Sequence, residues 1–327
     1  MTARLALALT VLLAACVTAP TRPLDTLRLQ LKWVPQAQFA GYYAALYQDF
    51  YRDESLNVVF LPGGPDVVPE DAVARGRAEI GITWLPALLA AREHGLPLVN
   101  VAQVFAHSGQ RQVALKASGI RNVGDLRGRK VSVWSGHEAP LIAALYRHAV
   151  APGQITLFPQ GLGMQVFVDR TIDSAAAMTY NELRQVWKAG VRPDQLLIID
   201  WNAEGTATLE DGLFVSEAWL ASPAHRDVAS RFLRASLRGW AFCRHWASEC
   251  LDALDRAAPG LDREHQTWML NEVIKLIYGP PTPATQPGRM DPTAFARTVE
   301  VLLGYGLLER APDAAAYTDV VWEEAQR

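Results

Sequence analysis

Leu27-Arg28-Leu29-Gln30-Leu31-Lys32-Trp33 alternates apolar and polar side chains, the period of a half-buried β-strand. Working outward, residues 37–51 read as a helix, 56–61 as a strand and Pro62-Gly63-Gly64-Pro65 as a loop. A helix at 67–75, a strand at 79–83, a helix at 85–93 and a strand at 98–105 follow. Strands that alternate with helices of about ten residues imply parallel βαβ units. The same texture resumes at Asp125-Leu126-Arg127-Gly128-Arg129-Lys130, which leads into a strand at 131–134. Beyond it lie a helix at 138–149, a strand at 155–158, a helix at 164–170, a strand at 175–179, a helix at 182–189 and a strand at 196–200.

After Gly212 the pattern changes to amphipathic helices at 223–246, 263–277, 292–304 and 314–325, with the breaker Gly279-Pro280-Pro281-Thr282-Pro283 between the second and third. A chain of 327 residues exceeds the size at which a single core stops growing. The pattern therefore predicts an α/β protein of two lobes with a helical C-terminal portion. None of its turns carries GxGxxG or a P-loop.

In open α/β sheets, ligands sit beyond the carboxyl ends of the strands. Those positions here are occupied by Trp33, Gly63-Gly64, Trp84, Trp134-Ser135-Gly136-His137-Glu138, Tyr180-Asn181-Glu182 and Trp201-Asn202. Four of the ten tryptophans fall there, whereas core packing would place indoles inside strands or on buried helix faces. The enrichment points to a cleft for a flat ring, held between aromatic faces and read at its edge by amides and carboxylates.

Ser135-Gly136-His137-Glu138 brings a hydroxyl, an imidazole and a carboxylate within four residues, but a triad needs groups converging from separate elements. It reads as a loop entering a helix, with backbone N–H groups available to a ligand. Glu210-Asp211 reads as a solvated turn before Gly212, because adjacent residues point in different directions. The remaining histidines are scattered singly, and no spacing suggests a metal site.

The first residues describe an export signal: Arg4, an apolar run from Leu5 to Leu13, then Leu13-Ala14-Ala15-Cys16. The run is far shorter than the roughly 20 apolar residues of a spanning helix. The quartet resembles a bacterial lipobox, which implies acylation of Cys16 and anchoring to a lipid bilayer; the plainer alternative is a secretory signal that contains a cysteine. Residues 1–15 would be the signal peptide and 16–26 a tether. The formal charge of −3 becomes −4 without Arg4, too mild to imply a nucleic-acid partner. Cys243 and Cys250 stand about 10 Å apart in rise on one unbroken helix, beyond disulfide reach, whereas a turn near residues 245–247 would allow a bond.

Further residues carry a resemblance. Trp33-Val34-Pro35-Gln36, Gly41-Tyr42-Tyr43-Ala44-Ala45, Asp49-Phe50-Tyr51, Arg75-Gly76-Arg77-Ala78-Glu79-Ile80-Gly81-Ile82 and Ser118-Gly119-Ile120 resemble the thiamine-pyrimidine-precursor and riboflavin-binding lipoproteins of ABC importers. The resemblance implies a type II periplasmic-binding-protein fold, crossed twice by the chain, near residues 116–118 and 200–204. Lobe 1 would comprise residues 27–117 and 203–327, and lobe 2 residues 118–202. It implies a small aromatic vitamin as ligand, an ABC permease as partner, and no cofactor, a flavin being cargo. Met178-Thr179-Tyr180-Asn181-Glu182, Glu204-Gly205-Thr206 and Leu209-Glu210-Asp211-Gly212 look more like the riboflavin-binding members. Trp33, Trp84, Trp134 and Trp201 are then stacking faces; Tyr42, Asn181 and Glu182 are edge readers; Ser135 and Tyr180 are further contacts.

The same fold hosts a pyrimidine-forming enzyme that consumes one of its own histidines and needs a cysteine cluster. The histidine position falls at Pro86, and the cysteine-rich segment falls on residues 208–215, which contain no cysteine. Proline offers neither nucleophile nor ligand. The expectation is a binding protein and no catalytic residue.

Overall fold

The computed structural model describes residues 23–279 and 286–327. The expected signal peptide, Cys16, most of the expected tether and residues 280–283 of the breaker lie outside the described residues. Among the described residues, ten strands form two five-stranded sheets. The first contains β1 (Asp25–Gln30), β2 (Leu56–Leu61), β3 (Ile80–Trp84), β4 (Leu98–Gln103) and β10 (Asp211–Ser216), in the order β2-β1-β3-β10-β4. The second contains β5 (Gln110–Leu115), β6 (Lys130–Val133), β7 (Thr156–Pro159), β8 (Ser174–Met178) and β9 (Leu196–Asp200), in the order β7-β6-β8-β5-β9.

The β1–β2, β1–β3, β6–β7 and β6–β8 pairs are parallel, as the βαβ reading requires. β10 runs antiparallel between β3 and β4, and β5 antiparallel between β8 and β9. Each sheet thus receives one reversed strand from the chain arriving out of the other lobe. The two-lobe, twice-crossed architecture is that of type II periplasmic binding proteins.

These two strands correct the expected boundaries. The first crossing is the segment after β4, residues 104–109, not 116–118; residues 110–115 belong to the second sheet and hence to lobe 2. The second crossing, residues 201–210, begins where expected and runs longer.

Leu27, Leu29 and Leu31 are fully buried, and helices cover the sheet on their side. The C-terminal helices complete lobe 1: Phe232 and Trp240, on the helix Pro223–His245, pack against Tyr42, with ring centroids 6.5 and 5.6 Å away. The helix expected at 37–51 is broken into a 3₁₀ turn, Ala37–Phe39, and helices Ala40–Tyr47 and Phe50–Asp53, with Asp49 at φ 59° between the last two. A helix not anticipated from the sequence, Ala247–Ala257, follows Pro223–His245 after a corner at Trp246. That corner brings the Cα atoms of Cys243 and Cys250 to 5.0 Å, and the two are disulfide-bonded.

Candidate functional site

The carboxyl ends of β1, β3, β6 and β8 converge on one interlobe cleft. Its inner chamber is lined by Lys32, Trp33, Gln36, Gln38, Trp84, Trp134, His137, Met178, Tyr180, Asn181 and Glu182, and holds about 40 Å³ of free space. An outer chamber of about 370 Å³ adjoins it and shares Lys32, Trp33, Trp134 and His137. Ser135, Gly64, Asp66 and Gln160 complete the outer wall. Trp33 follows β1 in lobe 1 and Trp134 follows β6 in lobe 2, so an indole from each lobe flanks both chambers. Gly63 lets the loop after β2 lie against the end of β1: a Cβ there would sit 2.4 Å from the Leu31 carbonyl oxygen and the Trp33 nitrogen.

Trp84 forms the floor. Its Nε1 donates to Asp211 Oδ1 at 2.7 Å, and Gln38 Nε2 donates to Asp211 Oδ2 at 2.7 Å. The face of Trp84 is covered by protein: Lys32 Nζ lies 4.2 Å above the ring, and the His137 imidazole is tilted against it at 4.1 Å between centroids. Lys32 Nζ is 2.9 Å from His137 Nε2, a contact that bridges the two lobes.

The electrostatics follow from burial. Loss of hydration pushes the Lys32 ammonium below its ordinary value, against the pull of Asp211, Glu70, Glu210 and Glu182. The same loss, together with the charge of Lys32, holds His137 well below the ordinary imidazole range, while the Gly136 backbone pulls the other way. Glu182 is pushed up to about 7 by burial, although Met178 N–H, Asn181 and Lys32 favour its ionised form.

Of the residues expected from the sequence, Trp33, Trp84, Trp134, Tyr180, Asn181 and Glu182 line the inner chamber, and Ser135 lines the outer one. Two do not reach the cleft. Tyr42 is buried beneath it among Phe232 and Trp240, and Trp201 is fully buried in the core at the start of the second crossing. A strand-end position fixes where the backbone lies, not where its side chain points. The edge-reading groups are also largely engaged: Asn181 Nδ2 donates to Glu182 Oε1, Glu182 Oε2 accepts from Met178 N, and Asn181 Oδ1 faces Gln185 Nε2 and His265 Nε2. The loop after β6 uses its own N–H groups as well, Gly136 N on Glu138 and His137 N on the Trp134 carbonyl.

Glu210 and Asp211 are not a solvated turn. They are 1 % and 3 % exposed: Asp211 supports Trp84, and Glu210 accepts from Ser108 Oγ at 2.6 Å, Gly109 N at 3.0 Å and Gln110 N at 2.9 Å. Lys32 and Gln38 were missed as site residues, Lys32 because a polar residue in an alternating strand reads as solvent-facing, and Gln38 because it falls in the helix expected at 37–51. Lys32's place beside Trp33 at the end of β1 was the available signal.

Two further contacts join the lobes beside the cleft. On one flank Trp268 Nε1 donates to the Thr179 carbonyl at 3.1 Å, its ring meets Trp187 edge to face at 5.4 Å, and Arg184 and Lys188 pair with Glu264 and Asp262. On the other, Tyr146 stacks on Tyr305 at 5.8 Å.

Two α/β lobes, two crossings and a cleft walled by both lobes define the periplasmic-binding-protein class. More specifically, the chain belongs to the NMT1/THI5 like family, which matches residues 36–246. It is 27% identical over 315 residues to the riboflavin-binding protein RibY of Chloroflexus aurantiacus, covering 92% of this chain and 88% of that protein. It is 28% identical over 123 residues to a formylaminopyrimidine-binding protein of Halalkalibacterium halodurans, 36% of this chain and 37% of that one. The fold is similar to that of the periplasmic aliphatic sulphonate binding protein SsuA from Escherichia coli, with a TM-score of 0.62 at 16% identity, covering 90% of each chain.

Proposed function

We propose that this chain is the extracytoplasmic solute-binding component of an ABC importer and that it captures riboflavin. The observation that carries the reading is the pair Trp33 and Trp134, one from each lobe, flanking both chambers of a single cleft. A planar ring sandwiched there bridges the lobes, so its binding energy favours the closed form that a permease would recognise. The likeness to a riboflavin-binding protein over nearly the whole chain supports the choice of ligand. Cys16 is the proposed lipid anchor, and no helix among the described residues is long and apolar enough to cross a membrane. No catalytic role is assigned: Pro86 and the cysteine-free segment 208–215 lack what the pyrimidine-forming relatives' chemistry would use.

The test is titration of the purified protein with riboflavin, following flavin and tryptophan fluorescence together. Mutual quenching with saturation at one equivalent is expected. Absence of quenching, with saturable binding of the formylaminopyrimidine instead, would move the assignment to the thiamine-precursor branch.

A further inference from the structure

The cleft's polar groups are unevenly matched. Its carboxylates already hold protein donors, Asp211 on both oxygens and Glu182 on both oxygens. Its donors are under-used. Lys32 is 9 % exposed and carries three N–H bonds, of which one is directed to His137 Nε2. Because an ammonium only donates, Nε2 accepts, and the ring proton sits on Nδ1, which makes no well-formed hydrogen bond. Trp134 Nε1, in the same wall, is buried without a partner. Buried donors left unmatched are costly, so the cleft is complementary to a guest that brings acceptors.

Building on the riboflavin reading, we propose that Lys32 is the specificity-determining residue of the cleft, donating to a ring carbonyl and selecting dione-bearing heterocycles over amino-substituted pyrimidines. An exocyclic amine in that place would bring a further donor to a donor-rich wall. A ring dione brings two acceptors, and its lone pairs are available to Lys32 without breaking the Asp211 or Glu182 contacts. The side chain lines both chambers, above the Trp84 floor, where a ring lodged beside Trp33 presents its edge.

The experiment compares the full-length protein with Lys32→Met and Trp134→Phe against four probes: riboflavin, lumichrome, uracil and a 4-aminopyrimidine. Calorimetry reads affinity, and circular dichroism with thermal melting reports folding. The expected result is preference for the diones, a loss of tenfold or more for diones in Lys32→Met, and a smaller loss in Trp134→Phe. Lys32→Met should retain its fold, since it removes a buried charge of similar length. Dione affinity of the unaltered protein should also decline at alkaline pH, as the ammonium flanked by Asp211, Glu70, Glu182, Glu210 and His137 loses its proton, and the decline should set in at lower pH than in Lys32→Met, where only the ring imide of the dione itself ionises. Binding of lumichrome or uracil without riboflavin would end the riboflavin assignment and leave the role of Lys32 standing. Tighter binding of the aminopyrimidine, an unchanged dione affinity in folded Lys32→Met, or no dione binding at all would overturn the role of Lys32.

Discussion

Glu210 Oε2 accepts the backbone N–H of Gly109 at 3.0 Å, so the carboxylate of one interlobe connection fastens the other. With Ser108 Oγ and Gln110 N on its second oxygen, this buried side chain is a cross-link between the two crossings. Replacing Glu210 with Ala leaves the enclosed Gly109 N–H and Ser108 hydroxyl without their acceptor, while Gln110 N keeps only Ser108 Oγ, and a loss of about 2–4 kcal/mol in urea unfolding is expected. A change below about 0.5 kcal/mol would show that the crossings do not depend on it.

The same residue gives a pH signature. Burial pushes Glu210 and Glu182 up to about 7, above the ordinary 4.5. Between those values the native protein holds protons that the unfolded chain has released, so stability falls as pH rises through the window. The slope is at most about 1.4 kcal/mol per pH unit for each group. Glu210→Gln should flatten the dependence of the unfolding free energy between pH 4.5 and 7. An identical slope in that variant would refute the attribution.

Trp134→Ala is expected to weaken riboflavin binding by about 1–3 kcal/mol and also to lower stability, because its ring both borders the cleft and packs in the core. Trp33→Ala is expected to weaken binding by a similar amount with little effect on stability, because its partly buried ring borders the cleft. Trp201→Ala should do the reverse, costing about 3–5 kcal/mol of stability as a core truncation. Calorimetric affinity and melting temperature separate the two patterns. Equal binding losses at all three positions would return Trp201 to the site.

Opening the Cys243–Cys250 bond should lower stability by about 2 kcal/mol, the amount expected for a loop of this size. Melting with and without reductant, compared with the double serine variant, reads the difference. Equal melting points in all three would mean that the corner at Trp246 is set by packing alone.

What could be read from the sequence was local. The alternation at Leu27 to Trp33 and the apolar runs that form β2, β3, β6 and β8 marked the parallel-paired strands, an apolar run also marked β9, and the strand-end positions picked out Trp33, Trp84 and Trp134. β10 escaped because Glu210-Asp211 before Gly212 reads as a solvated turn, and β5 because Gln110-Arg111-Gln112 shows neither an apolar run nor alternation. Their polar groups find partners from segments far away in sequence, Glu210 at Ser108 and Asp211 at Gln38 and Trp84, and no pattern within either strand announces such pairing. Lys32 was hidden for a related reason: its ammonium is enclosed by the opposite lobe, through His137.

The wedging of β10 between β3 and β4 has a consequence for how the protein is made. Strands β5 to β9 are contiguous in the chain, so their lobe can assemble as soon as residue 200 has left the ribosome. The other lobe holds a missing middle plank until residue 216 follows, and its unzipped β3 and β4 edges stay open to chaperones meanwhile. Limited proteolysis of a released chain truncated near residue 205, compared with the full chain, should therefore find the segment 110–200 protected in both, and residues 25–103 protected only in the full chain.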